Sequence, residues 1–458
     1  MNVETDDRSA RSAGWSAPEK LEEIARRAVD AMKREAPQGE AQARVSSGRA
    51  SNVRFALGVV QSCGDVSQEA VRLRVVLGKR HADVTSNQTD DASLRALARR
   101  AVEMAKLAPE DPESMPLLGP QTYVNVADGF DPALADVSDE SRAATARVAM
   151  AATKQAGLKE AGFFENNGET SVLMNSVGLR AATRATYGEM TLTARTADAT
   201  GSGWGITASH RASEIDAAAT ARVACDKALH SAHARPLDPG KYTVVLEPAA
   251  VGELLGFFAD TLDARAVDEG RSALTKPGGG SRLGERIANE LVTLKSDPAD
   301  PELPVAAFDE GEGLARKSIT WIDRGALEAL WYDRYWAAKQ GKEPTPWGGW
   351  HLQGGTAASI DELVAGVARG LLVTRFWYTR WLDPQLALVT GLTRDGVFLI
   401  ENGRVVAPVN NFRWNESPIT MLANCEALTR QTWRVDAGAR VPALRAHDFN
   451  MASLSEAV

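Results

Sequence analysis

Residues 242–263 read YTVVLEPAAVGELLGFFADTLD, and the join in the middle of this stretch decides the fold. YTVVLE suits a buried strand. Pro248 follows where a helix tolerates proline, in its first turn, because the missing N–H would have no partner there. Val251, Leu254, Leu255 and Phe258 recur at i, i+3, i+4 and i+7, which predicts one buried face. A helix leaving the end of a strand is a common seat for chemistry. This one carries Glu253 and Asp260 on its remaining surface, and no histidine.

Upstream, residues 18–35 form an amphipathic helix with Leu21, Ile24, Ala25 and Val29 on one side. Residues 71–78 alternate as a half-buried strand does. The spacing predicts a helix over 91–107, with Leu94, Leu97, Ala101 and Met104 on its apolar face. A helix over 138–156 opens with Ser138, Asp139 and Glu140, where negative charge suits the dipole. Residues 163–207 read as an antiparallel meander. Asn167-Gly168 is its clearest turn, because a type I′ hairpin needs positive φ at both positions. A helix over about 213–232 comes next. ARPLDPG (234–240) then marks a domain boundary.

Downstream lie nine of the eleven tryptophans, all at 321 or beyond. Ser359 and Glu362 form a capping box for a helix that buries Ile360, Leu363, Val364 and Val367 and ends at Gly370. Asn402-Gly403 marks a hairpin, and Arg394-Asp395-Gly396 reads as a tight turn. The expected class is α+β in two domains. Residues 18–236 pack helices on a sheet, and 237–458 build a large, mostly antiparallel sheet. Residues 1–17, polar and without an apolar run, are expected to be a disordered leader.

Composition narrows the function. The chain has 458 residues, 44% of them hydrophobic and 24% charged, as in a globular protein. No apolar run reaches transmembrane length. Cys63, Cys225 and Cys425 are too scattered for a disulfide framework, which fits a cytoplasmic location. A net charge of −8 without a basic stripe argues against a nucleic-acid partner.

Several segments resemble the TldD/PmbA family in order along the chain: NSVGL (175–179), LVTLKSDP (292–298), FDEGEG (308–313) and the WIDRGAL hairpin after it, then GLLVTRFWYTRWLDP, GLTRDGVFLIENG and PVNNFRWNESP. The resemblance implies a protease system. One subunit type, TldD, is a zinc peptidase whose helix carries HExxxH, with a cysteine near the C-terminus. The other, TldE (PmbA), lacks these ligands and pairs with TldD around a cavity in which unfolded or leader peptides are cleaved. Placing Gly252 on the glycine before the zinc motif puts Gly256 and Thr261 at the histidine positions and Phe257 at the catalytic glutamate. Neither Gly nor Phe can bind zinc. The C-terminal WRVDAGARVPALRAHDFNMASLSEAV holds no cysteine. The resemblance therefore implies a TldE-like, non-catalytic subunit with no cofactor of its own. Zinc is expected in a TldD-like partner.

Other candidates stand beside this reading. The i, i+3 spacing of His230 and His233 near a helix end can place both rings on one face, but helix C-termini favour histidine anyway. His81, His210 and His447 are expected at the surface. GGGSRLGE (278–285) lacks the ending of a phosphate loop. Cys425 reads as a buried helical cysteine. PTPWGGWHLQGG places Trp347, Trp350 and His351 in a Gly-rich loop that could grip an extended peptide. On the strand LLVTRFWYTRW, Arg375 and Trp377 should share one face and Phe376 and Tyr378 the other, so at most one set faces a groove. Two rival readings remain open. One is a metal-independent amide-cleaving enzyme using residues such as His351, Arg375 or Asp395. The other is a homodimeric peptide-binding protein.

Overall fold

The computed structural model describes residues 16–455. The leader expected over 1–17 lies outside the described residues apart from Ser16 and Ala17. The first half runs α1 (Pro18–Glu35), β1 (Glu40–Ala56), β2 (Val59–Leu77), β3 (Arg80–Ser86), α2 (Asp91–Leu107), α3 (Pro132–Ala135), α4 (Asp139–Gln155), β4 (Lys159–Asn175), β5 (Arg180–Arg195), β6 (Ser202–Ser209) and α5 (Ala217–His230). Its strands form one antiparallel sheet in the order β3-β2-β1-β4-β5-β6.

Three strands of this sheet, β1, β2 and β4, have 17, 19 and 17 residues, and 17 residues span about 56 Å at the usual rise. One helix pair cannot cover that length. The odd positions of β1 therefore serve two clusters on one face. Ala43 and Val45 meet Leu21, Ile24, Leu94 and Leu97 of α1 and α2. Val53 and Phe55 meet Ala146 and Ala149 of α4 and Ala221 of α5. Met104 departs from expectation. It is largely exposed, and Val102 and Ala105 complete the buried face of α2.

Asn167-Gly168 is not a turn. Both residues lie inside β4, opposite Ala50 and Arg49 on one side and Tyr187 and Thr186 on the other. Their backbone groups are satisfied by two neighbouring strands. The glycine serves close approach instead, since a Cβ on it would stand 2.9 Å from the Cβ of Ala135 in α3. The reversal comes at 176–179, where Asn175 Oδ1 accepts from the N–H groups of Val177 and Leu179 at 3.0 Å each.

The second half runs β7 (Gly240–Leu246), α6 (Pro248–Thr261), α7 (Ala264–Asp268), β8 (Leu294–Ser296), β9 (Ile319–Asp323), β10 (Ala326–Leu327), α8 (Arg334–Gln340), β11 (Trp350–Leu352), α9 (Ile360–Ala365), β12 (Arg369–Asp383), β13 (Leu388–Glu401), β14 (Arg404–Pro408), β15 (Phe412–Glu416), α10 (Pro418–Ala423), β16 (Cys425–Leu428), β17 (Trp433–Arg434), β18 (Ala439–Val441) and β19 (Leu444–Leu454). One sheet has the order β10-β9-β8-β11-β18-β17. In the other, β12-β7-β19-β15-β13 is continuous and β13 also pairs with β12, so five strands close into a ring. Among the described strands only the pairs β7–β12 and β11–β18 are parallel. The fold is α+β with large antiparallel sheets, as the sequence led us to expect.

Helix α6 begins with Pro248 in its first turn and buries Val251, Leu254, Leu255 and Phe258. Each of these contributes roughly 1.5–3 kcal/mol. The Asn402-Gly403 hairpin is present, with φ of 50° and 74°. Three other expectations change. Helix α9 stops at Ala365, before Gly370, because Gly370 already lies in β12 beside Thr243 of β7. Cys425 starts strand β16 rather than lying in a helix. Arg394-Asp395-Gly396 lies within β13, as described below. Among the described residues no helix is long and apolar enough to cross a membrane.

Candidate functional site

The face of α6 turned away from the core carries Glu253, Gly256, Phe257 and Asp260, again at i, i+3, i+4 and i+7. This stripe forms one wall of a cleft of about 650 Å³. Arg375, Trp377 and Tyr378 of β12 form another wall. Glu189 and Trp204, on β5 and β6, close it from the first sheet. The cleft thus needs both halves of the chain. Lys227 of α5 bonds Glu247, just before α6, at 2.6 Å and ties the halves together there.

Strand β12 follows the expected alternation only part of the way. Phe376 is buried beside Trp414 and stacked on Phe449, with centroids 4.4 and 5.7 Å away. The register then shifts between Trp377 and Arg380, and Tyr378 takes a φ of 53°. This irregularity throws Tyr378 outward, 73% exposed, rather than onto the face of Phe376. Arg375, Trp377 and Tyr378 all border the cleft as a result.

Arg375 is held from behind by Asp395. That aspartate is 1% exposed and lies in the middle of β13, where positive φ at Asp395 (55°) and Gly396 (123°) makes a local irregularity instead of a turn. Its carboxylate accepts from Arg375 Nε at 2.8 Å and from Ser202 Oγ at 2.5 Å. The guanidinium lies 4.5 Å over the ring of Trp204. Burial pulls Arg375 below the usual guanidinium range, and the charge of Asp395 opposes that shift.

Burial raises the carboxyl of Glu189, which accepts from the hydroxyl of Tyr187. Nearby, His210 departs from its expected surface position. It is 5% exposed because β17 crosses the end of β6, and its ring lies 3.1 Å from both Arg211 and Arg434. Burial first, then the two guanidiniums, push its pKa down.

The other sequence candidates lie elsewhere. Trp350 is buried between Trp321 and Trp347, with centroids 5.3 and 4.6 Å away. Trp347 lines a second cavity, of about 500 Å³, with Trp331 and Tyr332. His351 is on β11, bonded to Asp300 at 2.9 Å, and lines neither cavity. Of the six groove candidates, Arg375, Trp377 and Tyr378 border the cleft, Trp347 borders the second cavity, and Trp350 and His351 border neither. His230 and His233 gain no third ligand: His230 contacts the Asp226 carbonyl, and His233 lies 3.8 Å from Asp198. Sequence reasoning missed Glu189, Trp204 and Asp436 in the cleft. No local pattern marks them, because only tertiary packing brings them to α6.

The family model described as the PmbA/TldA metallopeptidase C-terminal domain matches residues 239–453, and that described as PmbA/TldA metallopeptidase domain 1 matches 41–105. The chain belongs to the PmbA/TldD family. Solved structures share its fold. TldE from Thermococcus kodakarensis is 18% identical, with a TM-score of 0.81 over 94% of this chain and 99% of that one. Candidate modulators of DNA gyrase from Bacteroides thetaiotaomicron (20% identical, 0.81, 94% and 98%) and Thermotoga maritima (17%, 0.82, 94% and 99%) are similar in the same way. No curated protein matches the chain in sequence.

A PmbA/TldD metallopeptidase site implies zinc, so the donors on α6 decide whether a metal fits. Gly256 offers none, and a Cβ there would meet nothing within 4 Å. Phe257 packs edge-on against Trp381, with centroids 5.1 Å apart. Thr261 turns inward, its hydroxyl bonded to the Phe258 carbonyl at 2.7 Å. The cleft is lined by carboxylates without imidazole or thiolate. Among the described residues no group of three or more His, Cys, Asp or Glu side chains is placed to hold a metal ion. These donors do not fit a peptidase zinc.

Proposed function

We propose that this chain is the non-catalytic, TldE-like subunit of a cytoplasmic peptidase complex. It pairs with a TldD-like zinc peptidase, walls the cavity and holds unfolded or leader peptide by main-chain pairing and aromatic contacts. The observation that carries this reading is the outer stripe of α6. It borders a wide, ring-lined cleft with Glu253, Gly256, Phe257 and Asp260 and offers no zinc-binding imidazole. Space for a side chain exists at Gly256, so the shape suits peptide while the donor chemistry is missing.

The test is zinc content and peptidase activity of the chain alone and after co-expression with a TldD-like protein. The expected result is a zinc-free, inactive chain that forms an active complex with zinc bound by the partner. Stoichiometric zinc in the isolated chain would overturn the reading. One observation favours a second reading, metal-independent amide cleavage: the Glu189 carboxyl on the cleft wall, raised by burial, is suited to proton transfer. It requires turnover by the pure chain, abolished by Glu189→Gln.

A further inference from the structure

The cleft beside α6 has a charge that peptide holding alone does not require. Four carboxylates line it: Glu189, Glu253, Asp260 and Asp436. Among the described residues its one lining cation is Arg375, which Asp395 engages directly and Glu253 attracts at longer range. Arg394 lies behind the same wall, 3.8 Å from that carboxylate. The last turn of α6 has no basic residue, so the negative end of the helix dipole adds to the field near Asp260. Burial raises the pKa of Glu189, the carboxylate on the first-sheet side of the cleft.

The walls between these carboxylates are ring faces. Trp204 and Trp377 already carry stacked guanidiniums from Arg375 and Arg394, at 4.5 and 4.7 Å. Phe257 and Tyr378 carry none among the described residues, and Tyr378 is open to solvent. Negative charge beside rings that carry no stacked cation in a concave site favours a cation on an apolar stem.

We propose that the cleft selects peptides bearing a lysine or arginine, whose stem crosses Phe257 and whose cation lies in the field of Glu253 and Asp260, the carboxylates on either side of that ring along α6. This inference rests on the peptide-holding reading and specifies which peptides are held. Carboxylates in front of the ring wall repel an acidic side chain and give an apolar one no charge partner. Gly256 leaves the room the stem needs, since nothing lies within 4 Å of its Cβ position.

Fluorescence anisotropy with three otherwise identical peptides tests this, using the complex of this chain with its TldD-like partner. The central residue is lysine, norleucine or glutamate. The lysine peptide should bind about tenfold tighter than the norleucine peptide, and the glutamate peptide weakest. Glu253→Gln with Asp260→Asn should reduce the lysine preference to about twofold or less. Gly256→Lys, which tethers a cation in the open space, should abolish it by a different route. Assembly and thermal melting confirm that each variant is folded. Equal binding of the three peptides, or a lysine preference unchanged in both variants, overturns the inference but leaves the subunit reading standing. Binding of none of them by the complex overturns both.

Discussion

A Cβ placed on Gly252 would stand 2.5 Å from Cγ2 of Val435, whereas one on Gly256, a turn further along α6, would meet nothing within 4 Å. The two glycines are present for different reasons. Gly252 lets the 435 segment close over the helix, and Gly256 leaves the cleft open. Gly256→Ala should stabilise the chain by about 0.5–1 kcal/mol, the helix-propensity gain at an unobstructed site. Gly252→Ala should be at least about 1 kcal/mol less stable than Gly256→Ala, because Val435 must move. Urea midpoints of the two variants decide this, and equal shifts would refute the contact.

Arg375 and Asp395 form a pair largely withdrawn from water behind the cleft wall, with side chains 14% and 0% exposed. Asp395→Asn should destabilise the chain by roughly 3–5 kcal/mol, because the guanidinium is left uncompensated. Arg375→Met combined with Asp395→Asn should recover much of that loss. A double-mutant cycle by chemical denaturation measures the coupling. Additive effects would mean that the two charges act independently.

The three thiols should differ in reactivity. Cys63 is exposed on β2, while Cys225 and Cys425 are buried. Burial pushes Cys225 up to about 11 and Cys425 up to about 12, away from the reactive thiolate. A chromogenic disulfide reagent at neutral pH should titrate one thiol per native chain quickly and all three after unfolding. Rapid labelling of Cys425 in the native chain would contradict its placement in β16.

His210 makes stability depend on pH. Its folded pKa is depressed below 6.5, so the unfolded chain takes up the proton first. Stability should therefore fall as pH drops below about 6.5, because protonation charges a ring already beside Arg211 and Arg434. His210→Gln removes this titration. The stability of wild type relative to His210→Gln should decline over that range, read as urea midpoints at successive pH values. A difference independent of pH would refute the burial of this ring.

Local periodicity made much of the fold legible. The first helix, the helices at 91 and 138, and the strand–helix join at 246–248 all follow from residue types within one or two turns. The same signals misled at Asn167-Gly168 and Arg394-Asp395-Gly396. Both have a turn's residue chemistry, but at Asn167-Gly168 strand neighbours far away in sequence supply the backbone partners and hold the segment extended, and at Asp395-Gly396 the positive φ is taken up by a bulge in β13 between the pairs Arg375–Arg394 and Val373–Val397. His210 misled for a related reason, since a polar flank cannot reveal that β17 lies across it.

What the sequence by itself determined is the character of α6: its start at Pro248, its buried stripe, and the lack of imidazole among Gly256, Phe257 and Thr261. Those are properties of side chains and their spacing on one helix. Only the tertiary structure decided that the opposite stripe faces a cleft, and that Trp204 and Glu189 of the first sheet and Arg375 of β12 complete it. It also decided that Trp350 is buried and that His351 bonds Asp300, apart from that site. The reason is physical. A cleft is made of surfaces from strands and helices distant in the chain, and their meeting depends on how the sheets close.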